Sequence, residues 1–370
     1  MTAIRFDHVD VIFGTHTKEA LKLLDQGLGR AEILKRTGQV LGVEDACLDV
    51  NRGEICVLMG LSGSGKSSLL RCINGLNKVS RGKLLIEHEG SQVDIANCSP
   101  ATLKAMRTKR IAMVFQKFAL MPWLTVAENV GFGLEMQGRP AAERKKLIDE
   151  KLELVGLSQW RDKRPDSLSG GMQQRVGLAR ALANDADILL MDEAYSALDP
   201  LIRVDMQTML LDLQQELKKT VVFITHDLDE ALRLGDHIAI LKDGEVVQQG
   251  DGQSIILSPA DGYVTDFVRD VNRGRVLQAN TVMEPLESKP EGMPVPETAT
   301  LETIARDMSE ANETQAHVVD EDGKPVGSIG LDTLVAAMVT PAPQEVEAEV
   351  KAEEPEKLQE TVMSVEKETA

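Results

Sequence analysis

The chain has 370 residues, a formal net charge of −18 and 42% hydrophobic residues, so it is long enough for about two or three domains. The acidic balance argues against nucleic acid as a partner, because negative charge repels phosphate. No apolar run approaches the roughly 18 residues of a membrane-spanning helix, and residues 1–8 lack a signal-peptide core, so we expect neither a span nor a leader. The cysteines lack metal-ligand spacing, which fits a reducing cytoplasm and gives no indication of zinc: Cys47, Cys56, Cys72 and Cys98.

A glycine-rich motif at residues 60–67 follows a short apolar run. Residues 54–59 have strand length, and residues 68–73 have the apolar spacing of a helix. This is the context of a P-loop, whose backbone N–H groups and helix N-terminus bind phosphate. Lys66 adds a point charge on the β- and γ-phosphates, and the Ser67 hydroxyl can ligate Mg²⁺. The residues expected to contact the nucleotide are Gly60, Ser62, Gly63, Ser64, Gly65, Lys66, Ser67 and Ser68.

A second strand pattern ends in two carboxylates. The continuous apolar run at residues 188–191 is typical of a parallel strand covered on both faces, and Asp192 and Glu193 follow it. We expect Asp192 to hold Mg²⁺ and Glu193 to act as the general base for attack of water on the γ-phosphate. The alternative is a solvated acidic turn. The guanine-reading pattern Asn-Lys-x-Asp is absent, since Asn-Lys at residues 77–78 precedes Val-Ser, and this favours ATP over GTP.

With the sequence LSGGMQ at residues 168–173, the chain resembles the ATP-binding subunits of ABC transporters. The further motifs of that family occur in its order, and they are the glutamine Gln116, the signature residues Ser169, Gly170 and Gly171, the D-loop Ser196–Asp199 and the switch histidine His226. The resemblance implies an α/β fold over residues 1–273, a P-loop NTPase of the ABC type. This fold has a RecA-like core, an antiparallel β subdomain and a helical subdomain at roughly residues 117–180.

In that family two subunits sandwich two ATP molecules, and the signature loop of one subunit faces the phosphate loop of the other. The resemblance therefore implies a dimer, in which Ser169, Gly170 and Gly171 donate to γ-phosphate oxygens held by the partner. For His226 the alternative is a core or capping histidine. The further roles that the resemblance implies are Mg²⁺ binding and γ-phosphate reporting by Gln116, nucleotide binding by Asp199 and γ-phosphate sensing by His226.

Adenine recognition is expected at Phe13. ABC ATPases stack the base on an aromatic residue near the first strand, and Phe13 matches that place in the sequence. Stacking of this kind contributes about 1–3 kcal/mol. The alternative is a core phenylalanine that closes the strand.

Within the family, the chain looks like the ATPases of glycine betaine and choline importers. This closer resemblance rests on a helical insertion at Thr15–Gly38 and on the stretches Phe115–Pro122 and Asp192–Arg203. Tyr195 and Ser68 depart from the commoner Phe and Thr. The resemblance implies ATP hydrolysis that powers import of glycine betaine, choline, proline betaine or trimethylamine N-oxide. The alternatives are an importer for another small solute, such as an amino acid, and a soluble ABC ATPase without a permease.

The segment at residues 117–134 is where the family docks permease helices. Met121, Pro122 and Trp123 give it an apolar face, for which core packing is the alternative. The resemblance implies three partners: a second copy of the chain, an integral membrane permease and a periplasmic or lipid-anchored substrate-binding protein. It also implies a peripheral location at the cytoplasmic face of the bacterial plasma membrane.

The composition changes after Arg273. A linker rich in Pro and Glu at Pro285–Glu297 precedes a capped amphipathic helix at residues 299–308, a hairpin of residues 317–320 and 326–329, and a closing helix at residues 331–338. This small α+β module, residues 276–340, resembles one repeat of the cystathionine-β-synthase (CBS) domain. The resemblance leaves two roles open for the module: it binds an adenosine ligand, or it serves packing or dimerisation without a ligand. Residues 341–370 are predicted to form a disordered acidic tail.

Overall fold

The structure, a computed structural model, describes residues 1–116, 119–286 and 290–339. These residues form two compact units, which divide between Gln249 and Gly250. The predicted acidic tail, residues 341–370, lies outside the described residues. None of the described helices combines the length and the apolar character needed to cross a membrane.

The first unit mixes strands and helices as in an α/β domain. A π-helical turn, Met106–Arg110, separates its fourth helix from its sixth strand. Its elements in chain order are β1 (Thr2–Phe13), α1 (Thr17–Leu24), α2 (Arg30–Thr37), β2 (Val40–Asn51), β3 (Ile55–Met59), α3 (Lys66–Ile73), β4 (Arg81–His88), β5 (Ser91–Asp94), α4 (Pro100–Ala105), β6 (Ile111–Val114), α5 (Val126–Met136), α6 (Ala141–Leu154), α7 (Gly170–Ala183), β7 (Ile188–Met191), α8 (Pro200–Leu217), β8 (Thr220–Ile224), α9 (Leu228–Leu234), β9 (His237–Lys242) and β10 (Glu245–Gly250).

A six-stranded sheet with the order β10-β9-β3-β8-β7-β6 forms the centre of this unit. β3 pairs in parallel with β8 and β9, and β7 pairs in parallel with β6 and β8. Every residue of β3, β7 and β8 is buried, which confirms the buried strand predicted at residues 188–191. Because these strands are parallel, the loops that follow them leave the sheet at one edge.

A four-stranded antiparallel sheet, β2-β1-β4-β5, packs on the same core. Its inward side chains share one apolar cluster with α3 and the six-stranded sheet, as Ile4, Leu69 and Val222 illustrate. The buried Arg110 connects the two sheets by donating to Glu87 of β4 at 2.7 Å and by contacting Asp187, just before β7. The predicted antiparallel β subdomain is therefore confirmed.

The predicted insertion at residues 15–38, here called the helical insert, forms α1 and α2 between β1 and β2. At its base, Gln39 Oε1 accepts from the His16 N–H and Gln39 Nε2 donates to the Thr37 carbonyl oxygen, both at 2.9 Å. The insert is thus fastened at both ends. Its helices pack on the adjoining strands through an apolar cluster of Ile12, Ala20, Leu24, Ile33 and Leu41.

Helices α5, α6 and α7 surround an apolar cluster of their own. Thr125 and Glu128 form a capping box that starts α5. The fully buried Asn129 accepts from the Met121 N–H at 2.8 Å and donates to the Met121 carbonyl oxygen at 3.1 Å, which fixes the segment before α5. The three helices lie within or close to residues 117–180, the range predicted for the helical subdomain, of which residues 117–118 lie outside the described residues.

The second unit combines helices with a small sheet, whose strand order is β11-β14-β13-β12. β12 runs parallel to β13, whereas β13–β14 and β11–β14 are antiparallel. The unit begins before the predicted boundary at residue 273, because its first helices pack on its later ones. Its elements are α10 (Gly252–Leu257), α11 (Gly262–Val268), α12 (Arg273–Val276), α13 (Ala279–Val282), β11 (Glu284–Pro285), β12 (Met293–Pro296), α14 (Leu301–Ala311), β13 (Gln315–Val319), β14 (Pro325–Gly330) and α15 (Leu331–Met338).

The elements predicted from residue 299 onward are confirmed as α14, the β13–β14 hairpin and α15. Thr300 caps α14 by accepting from the Thr303 N–H. The linker predicted at Pro285–Glu297 is wrong in part, because β12 lies within it. Two prolines conceal this strand in the sequence. They are tolerated because β12 is an edge strand, where one side of the backbone needs no N–H donor.

Replacement of Ile33 tests the packing of the helical insert. Ile33 is 0% exposed, so Ile33→Ala leaves a cavity, and we expect the free energy of unfolding of the first unit to fall by about 2–5 kcal/mol. Differential scanning calorimetry of the full chain measures this as a lower Tm. Lys35→Ala, at an exposed position of the same helix, is the matched control, and equal Tm values for the two variants would contradict the packing.

Candidate nucleotide-binding site

The glycine-rich motif forms the turn between β3 and α3. Gly60 and Gly65 have φ angles of 145° and 101°, which side-chain-bearing residues rarely adopt. A Cβ on Gly60 would lie 2.2 Å from the Leu241 carbonyl oxygen, and a Cβ on Gly65 would lie 2.5 Å from the Gly42 carbonyl oxygen. The loop therefore packs too closely against β9 and β2 to accept another residue at these two positions.

Lys66 crosses this loop from the first position of α3. Its Nζ atom donates to the carbonyl oxygens of Gly60 and Leu61, both at 2.8 Å, and the residue is 4% exposed. Burial lowers the pKa of Lys66, whereas the charges of Glu193 and Asp192 oppose that shift. An ammonium group beside the N–H groups of a helix N-terminus fits a bound phosphate.

Asp192 follows β7 directly and contacts two residues of α3. Ser67 Oγ donates to Asp192 Oδ1 at 2.8 Å, and Arg71 Nε donates to Asp192 Oδ2 at 3.2 Å. Ser67 and Arg71 are four residues apart and share one face of the helix. A hydroxyl and a carboxylate oxygen are the hard donors that Mg²⁺ prefers, so Ser67 and Asp192 fit this metal.

Glu193 contacts Gln116, the predicted glutamine after β6. Gln116 Nε2 donates to Glu193 Oε2 at 2.8 Å. Glu193 has a φ of 45°, in the left-handed region. Its carbonyl oxygen accepts from the N–H of Ser196 at 3.2 Å and from the Ser196 hydroxyl at 3.0 Å. The start of the D-loop therefore fixes the backbone that orients the Glu193 carboxylate.

A small pocket lies beside Glu193 at the end of β8. Arg203 donates to Asp227 at 3.4 Å and to the Leu198 carbonyl oxygen at 3.3 Å, and it thereby links the D-loop to the segment after His226. His226 is exposed, and Asp227 rather than His226 caps α9. His226 is therefore neither a core nor a capping residue. The side chains lining the pocket include Glu193, Ser196, Arg203, Thr225, His226, Asp227 and Glu230.

The signature residues form the beginning of α7. Ser169 is the N-cap, and its Oγ atom accepts from the Met172 N–H, while Gly170 and Gly171 belong to the first turn. A Cβ on Gly171 would lie 2.5 Å from Ile202 Cγ2. Among the described residues, no hydrogen bond or ion pair joins the signature to the phosphate loop. The Met172 N–H is therefore occupied by the cap, whereas the N–H groups of Gly170 and Gly171 precede it in the first turn, where an external acceptor can bind.

Phe13 lies half-buried at the end of β1. A Cβ built on Gly42 would lie 2.5 Å from Phe13 Cε2 and 3.4 Å from Ser68 Oγ. Because the Gly42 carbonyl oxygen also approaches Gly65, the ring lies near the phosphate loop. This position fits base stacking next to the phosphates, although Phe13 also packs on the apolar core.

The other predicted site residues differ in exposure. Ser62 and Gly63 are exposed at the tip of the phosphate loop, whereas Ser64 is 4% and Ser68 3% exposed. Asp199 is exposed at the N-cap position of α8. The structure of one chain thus places Asp199 and the signature residues at helix starts on the surface.

Some contacts in this unit were not expected from the sequence. One of these is the contact of Arg71 with Asp192. The sequence could have indicated it, because Arg71 lies four residues after Ser67 and therefore on the same face of the helix. The spacing of the cysteines in the sequence also gave no indication that ligand atoms of His8, Asp45 and Cys47 lie within 4.8 Å of one another. His8 and Asp45 form an exposed ion pair at 2.8 Å, and this hydrogen bond raises the pKa of His8.

Helix α7 begins at the signature, with Ser169 as its N-cap, outside the phosphate loop between β3 and α3. The comparisons with known proteins define the class to which a chain with these two glycine motifs belongs. The family model described as ABC transporter matches residues 43–196, and the model for the CBS domain matches residues 289–340. These matches confirm the predicted fold class.

Curated relatives identify the group within this class. The glycine betaine transport ATP-binding protein OpuAA of Bacillus subtilis (strain 168) is 52% identical over 285 residues, 77% of this chain and 67% of that protein. The glycine betaine/proline betaine protein ProV of Escherichia coli (strain K12) is 46% identical over 329 residues, 88% of this chain and 80% of that protein. The chain belongs to the family of ABC transporter ATP-binding proteins, in its glycine betaine group.

A solved structure supports the same fold. A dimeric post-hydrolysis state of the ATP-binding cassette MJ0796, bound to ADP and Pi, matches with a TM-score of 0.56 and 31% sequence identity. The match covers 67% of this chain and 98% of that one. The fold therefore implies that this chain binds ATP.

Replacement of Lys66 tests the phosphate cradle. We expect Lys66→Ala to weaken ATP binding about 10- to 100-fold, because hydrogen bonds to charged groups contribute roughly 1.5–3 kcal/mol. Titration with a fluorescent ATP analogue measures the affinity. Lys78→Ala, at an exposed position beyond α3, is the control, and wild-type affinity in Lys66→Ala would rule out the assigned role.

Proposed function

We propose that this chain hydrolyses ATP to power the import of a small quaternary or trimethylated amine through a partner permease. The substrates considered are glycine betaine, choline, proline betaine and trimethylamine N-oxide. The observation that carries the proposal is the Gln116–Glu193 hydrogen bond beside the Ser67–Asp192 pair, since it puts a candidate base next to a metal-ligand pair. The substrate class rests on the named functions of the relatives.

The phosphate loop and its neighbours bind the nucleotide. Lys66 and the N–H groups at the start of α3 hold the β- and γ-phosphates. Ser67 and Asp192, with the amide oxygen of Gln116, would hold Mg²⁺, which supplies positive charge to the phosphate oxygens. Phe13 stacks on the adenine, while Ser62, Gly63, Ser64 and Ser68 complete the loop around the phosphates.

Glu193 accepts the proton of the attacking water. The hydrogen bond from Gln116 orients the Glu193 carboxylate, and the bonds from Ser196 to its carbonyl oxygen hold the backbone. His226 lines the same pocket and contacts the γ-phosphate from the end of β8. Gln116 lies just before the helical subdomain and bonds to Glu193. Loss of the γ-phosphate therefore changes the position of the helical subdomain.

A second copy of the chain completes each nucleotide site. The Ser169 hydroxyl and the N–H groups of Gly170 and Gly171 donate to the γ-phosphate held by the other copy, and the positive end of the long helix α7 adds to this attraction. Asp199 contributes from the start of α8. The dimeric state of MJ0796 supports this arrangement.

The permease-docking surface is formed by Trp123, Phe132 and Met136, which are 68%, 39% and 68% exposed. It belongs to the predicted segment at residues 117–134 and the end of α5. Pro122 is exposed, whereas Met121 is half-buried. Docking places the chain at the cytoplasmic face of the bacterial plasma membrane, and a substrate-binding protein delivers the amine from the opposite side.

The extent of the matches favours amines of this kind over other small solutes. The spermidine/putrescine import protein PotA of Roseobacter denitrificans is 43% identical over 239 residues, 65% of this chain. The trimethylamine N-oxide protein TmoW of Ruegeria pomeroyi is 44% identical over 330 residues, 88% of this chain and 95% of that protein. The longer matches include more of the second unit.

Transport in proteoliposomes tests the proposed function. We expect the chain, purified with its permease and binding protein, to drive ATP-dependent uptake of labelled glycine betaine, and we expect the other three amines to compete. Methionine is the control solute. Uptake of methionine alone would favour the amino acid alternative, and absence of any co-purifying membrane protein would favour a soluble ATPase.

The Glu193→Gln variant tests the base. We expect ATP binding to persist while kcat falls at least about 100-fold, because the amide cannot accept the proton. ATP then remains bound and the dimer accumulates, which size-exclusion chromatography detects. Glu89→Gln, at an exposed position, is the control. Hydrolysis at the wild-type rate by Glu193→Gln would exclude Glu193 as the base.

The Trp123→Ala variant tests the permease-docking surface. We expect association with the permease to weaken about 30-fold, because truncation of a central interface tryptophan costs roughly 2 kcal/mol, while ATP hydrolysis by the isolated subunit stays unchanged. Pull-down with the detergent-solubilised permease measures the association. Leu76→Ala removes another exposed apolar side chain, 53% exposed, and an equal effect of both changes would argue against a specific surface.

A further inference from the structure

The helical insert contacts the phosphate loop through Arg30. Arg30 is the first residue of α2, and its Nη1 atom donates to the Gly63 carbonyl oxygen at 2.8 Å. Gly63 lies at the tip of the loop, with a φ of 80°, and a Cβ there would meet no atom within 4 Å. Hydrogen bonds rather than packing therefore hold the shape of this tip.

The peptide group between Gly63 and Ser64 is bonded on both sides. Its carbonyl oxygen accepts from Arg30, and its N–H, which belongs to Ser64, donates to the Leu61 carbonyl oxygen at 3.2 Å. Rotation of this peptide would break both hydrogen bonds. Because the orientation of successive peptide groups decides which N–H groups face an anion, the Arg30 contact helps to keep the cradle in one shape.

The helical insert holds Arg30 in place. The buried Ile33 anchors α2 three residues later, and the Gln39 hydrogen bonds fasten both ends of the insert. Asp25, after α1, contacts Arg81, which also contacts Asp10 of β1. A guanidinium on such an anchored segment needs little further ordering to keep its bond with the loop.

We infer that Arg30 is a nucleotide-positioning residue, which the helical insert supplies to the phosphate loop. It fixes the Gly63–Ser64 peptide group before the nucleotide arrives, and it adds a permanent positive charge beside the phosphates. This inference rests on the proposed function, since it concerns the same ATP site. The effect belongs to binding rather than to hydrolysis, because Glu193 and Gln116 lie on other elements.

Equilibrium binding to the full chain tests this inference in the Glu193→Gln background, where ATP is not consumed. We expect Arg30→Ala to weaken binding of a fluorescent ATP analogue about 3- to 10-fold at low salt, and less at high salt, because an exposed charge is screened. Arg30→Lys keeps the charge and a donor, so we expect affinity within about twofold of the parent. Arg36→Ala, which breaks an exposed pair with Glu32 on the same helix, is the matched control without effect.

Kinetics and thermal stability separate positioning from folding. With Glu193 intact, we expect Arg30→Ala to raise the KM for ATP by a similar factor while kcat stays within about twofold. Its nucleotide-free Tm should match that of Arg36→Ala; if it is lower, Arg30→Gln replaces it and must show the same loss of affinity. Equal affinities of the Arg30 and Arg36 variants would overturn the inference, whereas failure of the wild-type chain to bind ATP would overturn the proposed function instead.

Discussion

The parallel register of β3, β8 and β7 is the constraint on which the nucleotide site depends. Leu58 pairs with Ile224, and Met191 pairs with Phe223, so the phosphate loop, the carboxylates and the switch histidine all emerge at one edge of the sheet. A slip of one residue in any of these strands would turn its side chains to the opposite face. The 2.8 Å contact between Ser67 and Asp192 therefore depends on the register of β3, β8 and β7.

Charge is balanced within the site of a chain whose net charge is negative. Lys66 is held by carbonyl oxygens, Asp192 by Ser67 and Arg71, and Glu193 by Gln116. Each ionised group thus has a partner before a nucleotide enters, which limits the cost of keeping it away from water. Groups that already have fixed partners need little rearrangement when phosphate arrives, and this is how preorganised electrostatics stabilises developing charge.

The parts of the site that depend on local geometry could be predicted from the sequence. Gly60 and Gly65 follow from the turn that a phosphate cradle needs, and the carboxylates follow from their place after a buried strand. The sequence did not predict the contacts of Arg30 with Gly63 and of Arg71 with Asp192. Each contact joins segments that lie far apart in the chain and meet only when it folds. The roles of Phe13, Asp199 and the other site residues stay predictions, because the fold fixes where these side chains lie and not what they bind.

The edge strand β12 has a consequence for how the second unit meets other chains. The Glu297 N–H donates to the Val319 carbonyl oxygen, so alternate residues of this strand face β13 while Pro294 and Pro296 face outward. The outward edge can accept hydrogen bonds through its carbonyl oxygens, but Pro294 and Pro296 have no N–H to donate. An unpaired edge with donors and acceptors is a template for intermolecular strand addition and aggregation. Proline at both outward positions therefore protects the β12 edge of this sheet from such addition.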